Sequence, residues 1–271
     1  MLEAILRLGR ITKYLPWFRG IGLFQRFYQF TLPEGEIHLS VDDFDKDLKI
    51  GDLDVRETSG INIWHRPVFY NKNQRKLFCD AIRPGCVALD VGANIGVYTL
   101  LAAKRGARVF AIEADPHNLE MLRRNIRLNH LDDRVTVFPI AVGSEESTAT
   151  LFRFKGNSGH SNLFSGTDPV EVSCKTIDSL DLPPIDVCKM DIEGSELSAL
   201  RGMRATICRS PQMKLLIEYA EVLGASAELT DFIRAHFSTV YAIRQPPLRA
   251  KGPLSPRTKL PRFCDLWACR S

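Results

Sequence analysis

The run V-A-L-D-V-G-A-N-I-G that ends at Gly96, with Glu113 closing the next apolar run, carries the residue types of a nucleoside site. Asp90 sets a negative charge at the tip of a short β-branched stretch. That charge repels a pyrophosphate and attracts an ammonium group, so the turn favours a zwitterionic, cationic ligand over a dinucleotide. Gly92 and Gly96 leave no side chain where the chain must reverse and approach a ligand, and the free N–H groups of the following helix start face that ligand. Glu113 arrives roughly 20 residues later, the interval at which a carboxylate meets both hydroxyls of a ribose. A nicotinamide site uses an acid of the same kind, but its glycine pattern is G-x-G-x-x-G and this turn reads G-A-N-I-G. Together these residues point to S-adenosylmethionine.

A second constellation lies further along. Lys189, Asp191 and Glu193 alternate, which in a strand places them on one face, and Glu196 follows a Gly-Ser turn. Methyl transfer from a sulfonium is an in-line displacement on an activated carbon, so the protein aligns donor and acceptor and can take the acceptor's proton. Alignment supplies ~7 kcal/mol or more, and a general base typically ~100-fold to 10,000-fold in rate. Asp191 is the first candidate for base or acceptor positioning, followed by His160 in a polar loop and Glu218 at the end of another apolar run. A structural Lys189–Glu193 ion pair and a solvated loop histidine are the competing readings. Asp191 could also bind a divalent ion, but no neighbouring Asp-Asn pair supports it and no metal is expected.

The elements that must position these groups alternate between strand and helix. Strands are predicted at 87–91, 108–112, 135–142, 186–192, 214–219, 239–243 and 263–269, with helices over 93–104, 116–129 and 230–236. Asp115 followed by Pro116 is an N-cap with proline at the first helical position. This order suits a seven-stranded, doubly wound α/β sheet closed by an antiparallel pair. Two alternating runs, 148–154 and 170–177, flank a Gly/Ser/Asn-rich stretch and read as an inserted β-hairpin whose tip is a candidate substrate lid, or else an ordinary floppy connection.

Composition bounds the rest. The 271 residues, 45% of them hydrophobic, can bury one full α/β core with additions at both ends. The division expected is an N-terminal extension over 1–70, helical then briefly β, and a catalytic domain over 71–271. A net charge of +4 is too mild to argue for nucleic acid. The seven cysteines are odd in number and contain no C-x-x-C pair, so they read as reduced core residues of a cytoplasmic protein. No apolar run has the length of a transmembrane helix, and no signal-peptide core precedes the first basic residues.

The ordered set D-V-G-A-N-I-G-V-Y-T, A-I-E-A-D-P, I-A-V-G, G-H-S-N-L, T-I-D-S-L and K-M-D-I-E-G-S-E-L-S-A-L-R-G-M resembles the FkbM family of S-adenosylmethionine-dependent methyltransferases, over residues 77–219. The resemblance implies a class I (Rossmann-like) methyltransferase fold and O-methylation of a hydroxyl on a sugar, glycolipid or polyketide-type metabolite. It also implies that Asp90, Gly92, Asn94 and Gly96 line the methionine side of the cofactor, that Glu113 meets the ribose, and that Asp115 and Asn118 lie near the nucleoside. I-A-V-G offers no acid for the adenine, leaving Ala141 as a backbone contact.

Other segments stay open. The first 30 residues mix leucines, arginines and aromatics in a pattern that fits a basic amphipathic helix on an anionic membrane surface, packing on the core, or a contact in a homo-oligomer. Residues 246–262 are basic without an acid inside, and suit an anionic glycan- or lipid-linked acceptor or plain solvent. D-L-P-P at 181–184 precedes the strand it should follow in a base-amino methyltransferase, and the acidic run at 43–54 lacks the glycine and closing glutamate of a calcium loop. The reading reached is a cytoplasmic O-methyltransferase. A nucleic-acid methyltransferase and a cofactor-binding protein without catalysis are its rivals.

Overall fold

The computed structural model describes residues 28–32, 37–41, 49–50, 53–54, 72–153, 161–164, 166, 168–220, 227–243, 260 and 263–270. Two short antiparallel pairs come first, β1 (Tyr28–Leu32) with β2 (Ile37–Val41) and β3 (Lys49–Ile50) with β4 (Leu53–Asp54). Then follow α1 (Lys72–Ala81), β5 (Val87–Val91), α2 (Val97–Lys104), β6 (Arg108–Ile112), α3 (Pro116–Leu128) and β7 (Val135–Phe138). The chain continues through β8 (Ala141–Val142), β9 (Ser147–Arg153), β10 (Asp168–Lys175), β11 (Val187–Met190), α4 (Glu196–Arg201) and α5 (Arg204–Arg209). It closes with β12 (Lys214–Ala220), α6 (Ala227–His236), β13 (Thr239–Ile243) and β14 (Phe263–Cys269).

Seven strands form one sheet in the order β13-β14-β12-β11-β5-β6-β7. The five from β12 to β7 are parallel, and β14 runs antiparallel to both its neighbours. The strand sequences read as near-continuous apolar runs because both faces are covered. Along β6, Val109 and Ala111 enter a core with Leu100, Leu101 and Met121, whereas Phe110 and Ile112 enter the opposite core with Met190, Leu200 and Ile217. The strand order reverses beside β5, so the crevice at the carboxyl ends of β5 and β11 is where a ligand of such a sheet binds.

Two expectations need correction. The first helix does not begin at residue 93: residues 93–96 form a turn, Gly96 has φ +100°, and α2 starts at Val97. The run 135–142 is not one strand either. It breaks after Phe138, where Pro139 can donate no backbone hydrogen bond, and β8 joins a separate three-stranded sheet, parallel to β10 and ordered β8-β10-β9. The inserted hairpin is thereby built onto the domain. Leu151, Val172 and Cys174 pack with Ala141 in a small core of their own, with Leu163 from the tip against them.

The main core also reaches back before residue 71. Ile37 and Leu39 alternate along β2 and are fully buried in the same core as Leu101 and Leu122. Each such burial stabilises by about 1.5–3 kcal/mol. The helical segment expected at the start of the chain, the basic stretch 246–259 and His160 lie outside the described residues. None of the seven cysteines, all of them among the described residues, forms a disulfide. Among the described residues, no helix is long and apolar enough to cross a membrane.

Candidate active site

The turn after β5 is shaped by protein contacts. Gly92 has φ +75°, and a Cβ there would lie 1.9 Å from the backbone oxygen of Asp191. At Gly96 a Cβ would come within 2.7 Å of Leu122. The glycines therefore let β5 approach β11 and let α2 close onto α3, rather than only making room for a ligand. Asn94 takes a left-handed φ of 50°. Its side-chain oxygen accepts from the N–H of Ile95 at 2.6 Å, and Asn125 Nδ2 donates to the Ile95 carbonyl at 2.8 Å, which fixes the turn from both sides.

Glu113 sits at the carboxyl end of β6 and faces the crevice. One carboxylate oxygen accepts from the N–H of Asn94 at 2.7 Å and the other from the N–H of Asp115 at 2.8 Å. One side chain thus ties the glycine turn to the start of α3, the Asn118 side chain also bonds to it, and the carboxylate still has accepting capacity for a ligand hydroxyl. Burial raises its pKa to about 7 against the lowering effect of the two N–H groups. Asn118, one turn into α3, also lines the crevice, and its buried Oδ1 has no hydrogen-bond partner among the described residues. A shielded acceptor of this kind is costly unless a donor arrives.

Asp115 caps α3, with Oδ1 accepting from the N–H of His117 at 2.8 Å. Its Oδ2 accepts from the hydroxyl of Ser161 at 3.0 Å. The described part of the hairpin tip, Ser161 to Leu163, therefore closes over the Glu113 and Asn118 side of the crevice. The crevice is lined further by Gly92, Asn94, Ile140, Ala141, Asp191 and Glu193. It is a half-open crevice with an apolar floor at Ile112, Ile140 and Ile192.

The opposite end is acidic. Lys189, only 6% exposed, donates to the carbonyl of Gly92 at 2.7 Å. Its ammonium also lies 3.7 Å from carboxylate oxygens of both Asp90 and Asp191. Burial opposes its charge, but Asp191 and Asp90 outweigh the burial and its pKa is held above the ordinary lysine value. Around it stand acids whose burial works against ionisation. Burial, then the charges of Asp191 and Glu196, brings Glu193 to about 8. Burial, then Asp191 and Glu193, pushes Glu218 far above the carboxylate range. Asp265, across from Glu218 on β14, is raised to about 6 by burial despite the amide of Gln74 donating to it.

Of the residues singled out in the sequence, the crevice brings together Gly92, Asn94, Glu113, Asn118, Ala141 and Asp191. Gly96, Asp115 and Asp90 stand behind it as supports. Asp90 is the largest departure: it is 1% exposed, its Oδ2 accepts from the Thr99 hydroxyl at 2.6 Å, and its charge is directed at Lys189 instead of into the crevice. Glu196 closes the turn after β11 by accepting from the N–H groups of Ile192 and Gly194. Lys189 is the residue the sequence reading undervalued. A lysine between Cys188 and Met190 in a fully buried strand is itself a signal of a buried charge partner.

Comparison with known proteins agrees with this architecture. The model of the methyltransferase FkbM domain matches residues 90–242. The hexuronic acid methyltransferase AglP of Haloferax volcanii is 30% identical over 125 residues, covering 43% of this chain and 49% of that protein. The methyltransferase sdnD of Sordaria araneosa is 26% identical over 153 residues, covering 42% of this chain and 59% of that one. The chain thus spans about half the length of these relatives. A crystal structure of an FkbM methyltransferase from Methylobacillus flagellatus KT superposes with a TM-score of 0.49 at 21% identity, covering 72% of this chain and 50% of the other. With more than half its length matched, from Asp90 at the tip of β5 to Ala242 in β13, the chain belongs to the FkbM family of methyltransferases.

Proposed function

We propose that this methyltransferase uses S-adenosylmethionine to methylate a hydroxyl of a sugar, glycolipid or polyketide-type metabolite. The observation that carries the cofactor reading is the pairing of Glu113 with Asn118: a two-oxygen acceptor with lone pairs to spare, beside a buried acceptor that lacks a donor. Ribose hydroxyls and a nucleoside amine supply such donors. Glu113 would hold the ribose, Asn118 and the wall at Ala141 the adenosine, and Asn94 and the Gly92 turn the methionine moiety. The bound cofactor supplies a methyl group on a sulfonium, open to in-line displacement.

The chain's own groups then have three tasks. Ser161 to Leu163 cover the crevice and exclude water. Lys189 joins the Gly92 turn to Asp191, which fixes the donor wall relative to the acceptor side and contributes to alignment worth ~7 kcal/mol or more. Asp191, with 43% of its side chain exposed, is free to hold the acceptor hydroxyl and take its proton. A hexuronic acid methyltransferase stands among the relatives, so hydroxyls of hexuronic and other sugars are the acceptors to test first.

The test combines calorimetric titration with S-adenosylmethionine, its demethylated product and NAD with transfer of labelled methyl to a panel of hydroxylated glycans, the product being located by mass spectrometry. Binding of the first two and methyl ether formation is the expected result. Preference for NAD, or label recovered only on RNA or protein, overturns it.

A further inference from the structure

We infer that Asp191, Glu193 and Glu218 form a site for one hard divalent cation, of the magnesium, manganese or calcium class, at the acceptor end of the crevice. The inference rests on the methyltransferase reading above and deepens it. The three acids come from the carboxyl edges of the adjacent parallel strands β11 and β12, and each offers one oxygen such that all three lie within 4.8 Å of one another. Ions of this class bind oxygens at about 2.0–2.6 Å. Ligand atoms up to about twice that distance apart can share one ion, so the triad fits with little movement.

An independent observation is the state of Glu218. The residue is 8% exposed, and its Oε2 is shielded from solvent with no hydrogen-bond partner among the described residues. A shielded carboxylate oxygen without a donor is costly, and a cation relieves it. Lys189 does not fill this role directly, because its ammonium is bonded to the Gly92 carbonyl and lies between Asp90 and Asp191. In the sequence Asp191 alone suggests a divalent ion, and no metal is expected because no acid-amide pair neighbours it; its partners Glu193 and Glu218 lie beside it only where β11 and β12 pair.

Asp191 and Glu193 line the crevice, so the ion is reached from the ligand side. Three protein oxygens leave about three positions for water or acceptor oxygens. A hydroxyl bound there is fixed in place and made more acidic. The site therefore selects acceptors presenting two neighbouring oxygens, a vicinal diol or a hydroxyl beside a carboxylate.

The test is titration of the chelator-stripped full chain with manganese, followed by electron paramagnetic resonance. One manganese per chain, displaced by magnesium or calcium, is expected. Glu218→Gln should weaken it at least tenfold, whereas Asp265→Asn, a nearby acid outside the triad, should leave it within about threefold; thermal melting shows that each variant is folded. Absence of manganese binding at about 1 mM, or undiminished binding by folded Glu218→Gln, overturns the site. S-adenosylmethionine is titrated into the stripped protein in parallel. Cofactor binding without manganese binding refutes the cation site alone, and manganese binding without cofactor binding supports the site while refuting the methyl-donor reading.

Discussion

The ammonium of Lys189 donates to the carbonyl of Gly92 at 2.7 Å, joining the middle of β11 to the turn that follows β5. A buried lysine thus spans two walls of one crevice, the Gly92 turn and Asp191. Removing one partner of a buried charge pair costs about 3–5 kcal/mol, because the other is left uncompensated. Lys189→Met should lower stability by about that amount in denaturant unfolding and weaken the cofactor. Adding Asp90→Asn should restore part of the loss, since Asp90 is the most deeply buried of the charges that Lys189 faces. A double-mutant cycle with no coupling between the two positions contradicts this arrangement.

Gly92 and Gly85 provide a matched pair for backbone strain. Both have positive φ, but a Cβ at Gly85 meets nothing within 4 Å, and one at Gly92 strikes the Asp191 carbonyl. Gly85→Ala should cost about 1–2 kcal/mol, the left-handed penalty alone. Gly92→Ala should cost at least about 2 kcal/mol more through steric conflict with the backbone of β11. Equal denaturation midpoints for the two variants would show that β5 and β11 are not held this close.

Cofactor affinity should depend on pH through Glu113. The ribose hydroxyls donate to its ionised form, and burial sets its pKa near 7. Affinity should rise from pH 5.5 to pH 8 and level off above about 7, falling up to tenfold per unit on the acid side. The sign for stability is opposite. The native state holds this proton over a range where the unfolded chain has lost it, so the stabilisation is complete below about 4.5 and disappears as pH rises through about 7. Calorimetry across that range on wild type and Glu113→Gln separates the two, and a flat affinity profile for wild type excludes Glu113 as the ribose acceptor.

Asp191→Asn should lower kcat by about two or more orders of magnitude while cofactor affinity falls only moderately. Ser161→Ala removes the hydrogen bond from the hairpin tip to Asp115. Loss of one such bond to a charged group costs about 1.5–3 kcal/mol. It should therefore appear mainly as a raised KM for both substrates, measured by steady-state methyl transfer. An unchanged KM shows that the tip does not act as a cover.

The positions of most strands of the main sheet were legible because each is a bounded apolar run, and so was the antiparallel closing pair. The start of α3 was legible because Asp115 and Pro116 encode an N-cap locally. What escaped the sequence is tertiary. Pro139 was a local signal against one continuous strand at 135–142, but nothing local shows that 141–142 then joins a different sheet. Nor does spacing reveal that Asp90 turns to Thr99 and Lys189, or that Gly92 is required by the Asp191 carbonyl just past the end of β11. Glu193 and Glu218 looked like separate acids because their proximity exists only where β11 and β12 lie side by side.

The departure of β8 from the main sheet divides the enzyme into parts that can change independently. The donor wall at Ala141 and the strand returning from the insertion are joined through Ala141 with Cys174 and Val142 with Lys175, while β5, β6 and β7 take no part in that ladder. Replacing Ser161 to Leu163 therefore alters what covers the crevice without touching the turn after β5. The cover over the crevice is thus a module seated on a two-residue ladder, separable from the turn after β5.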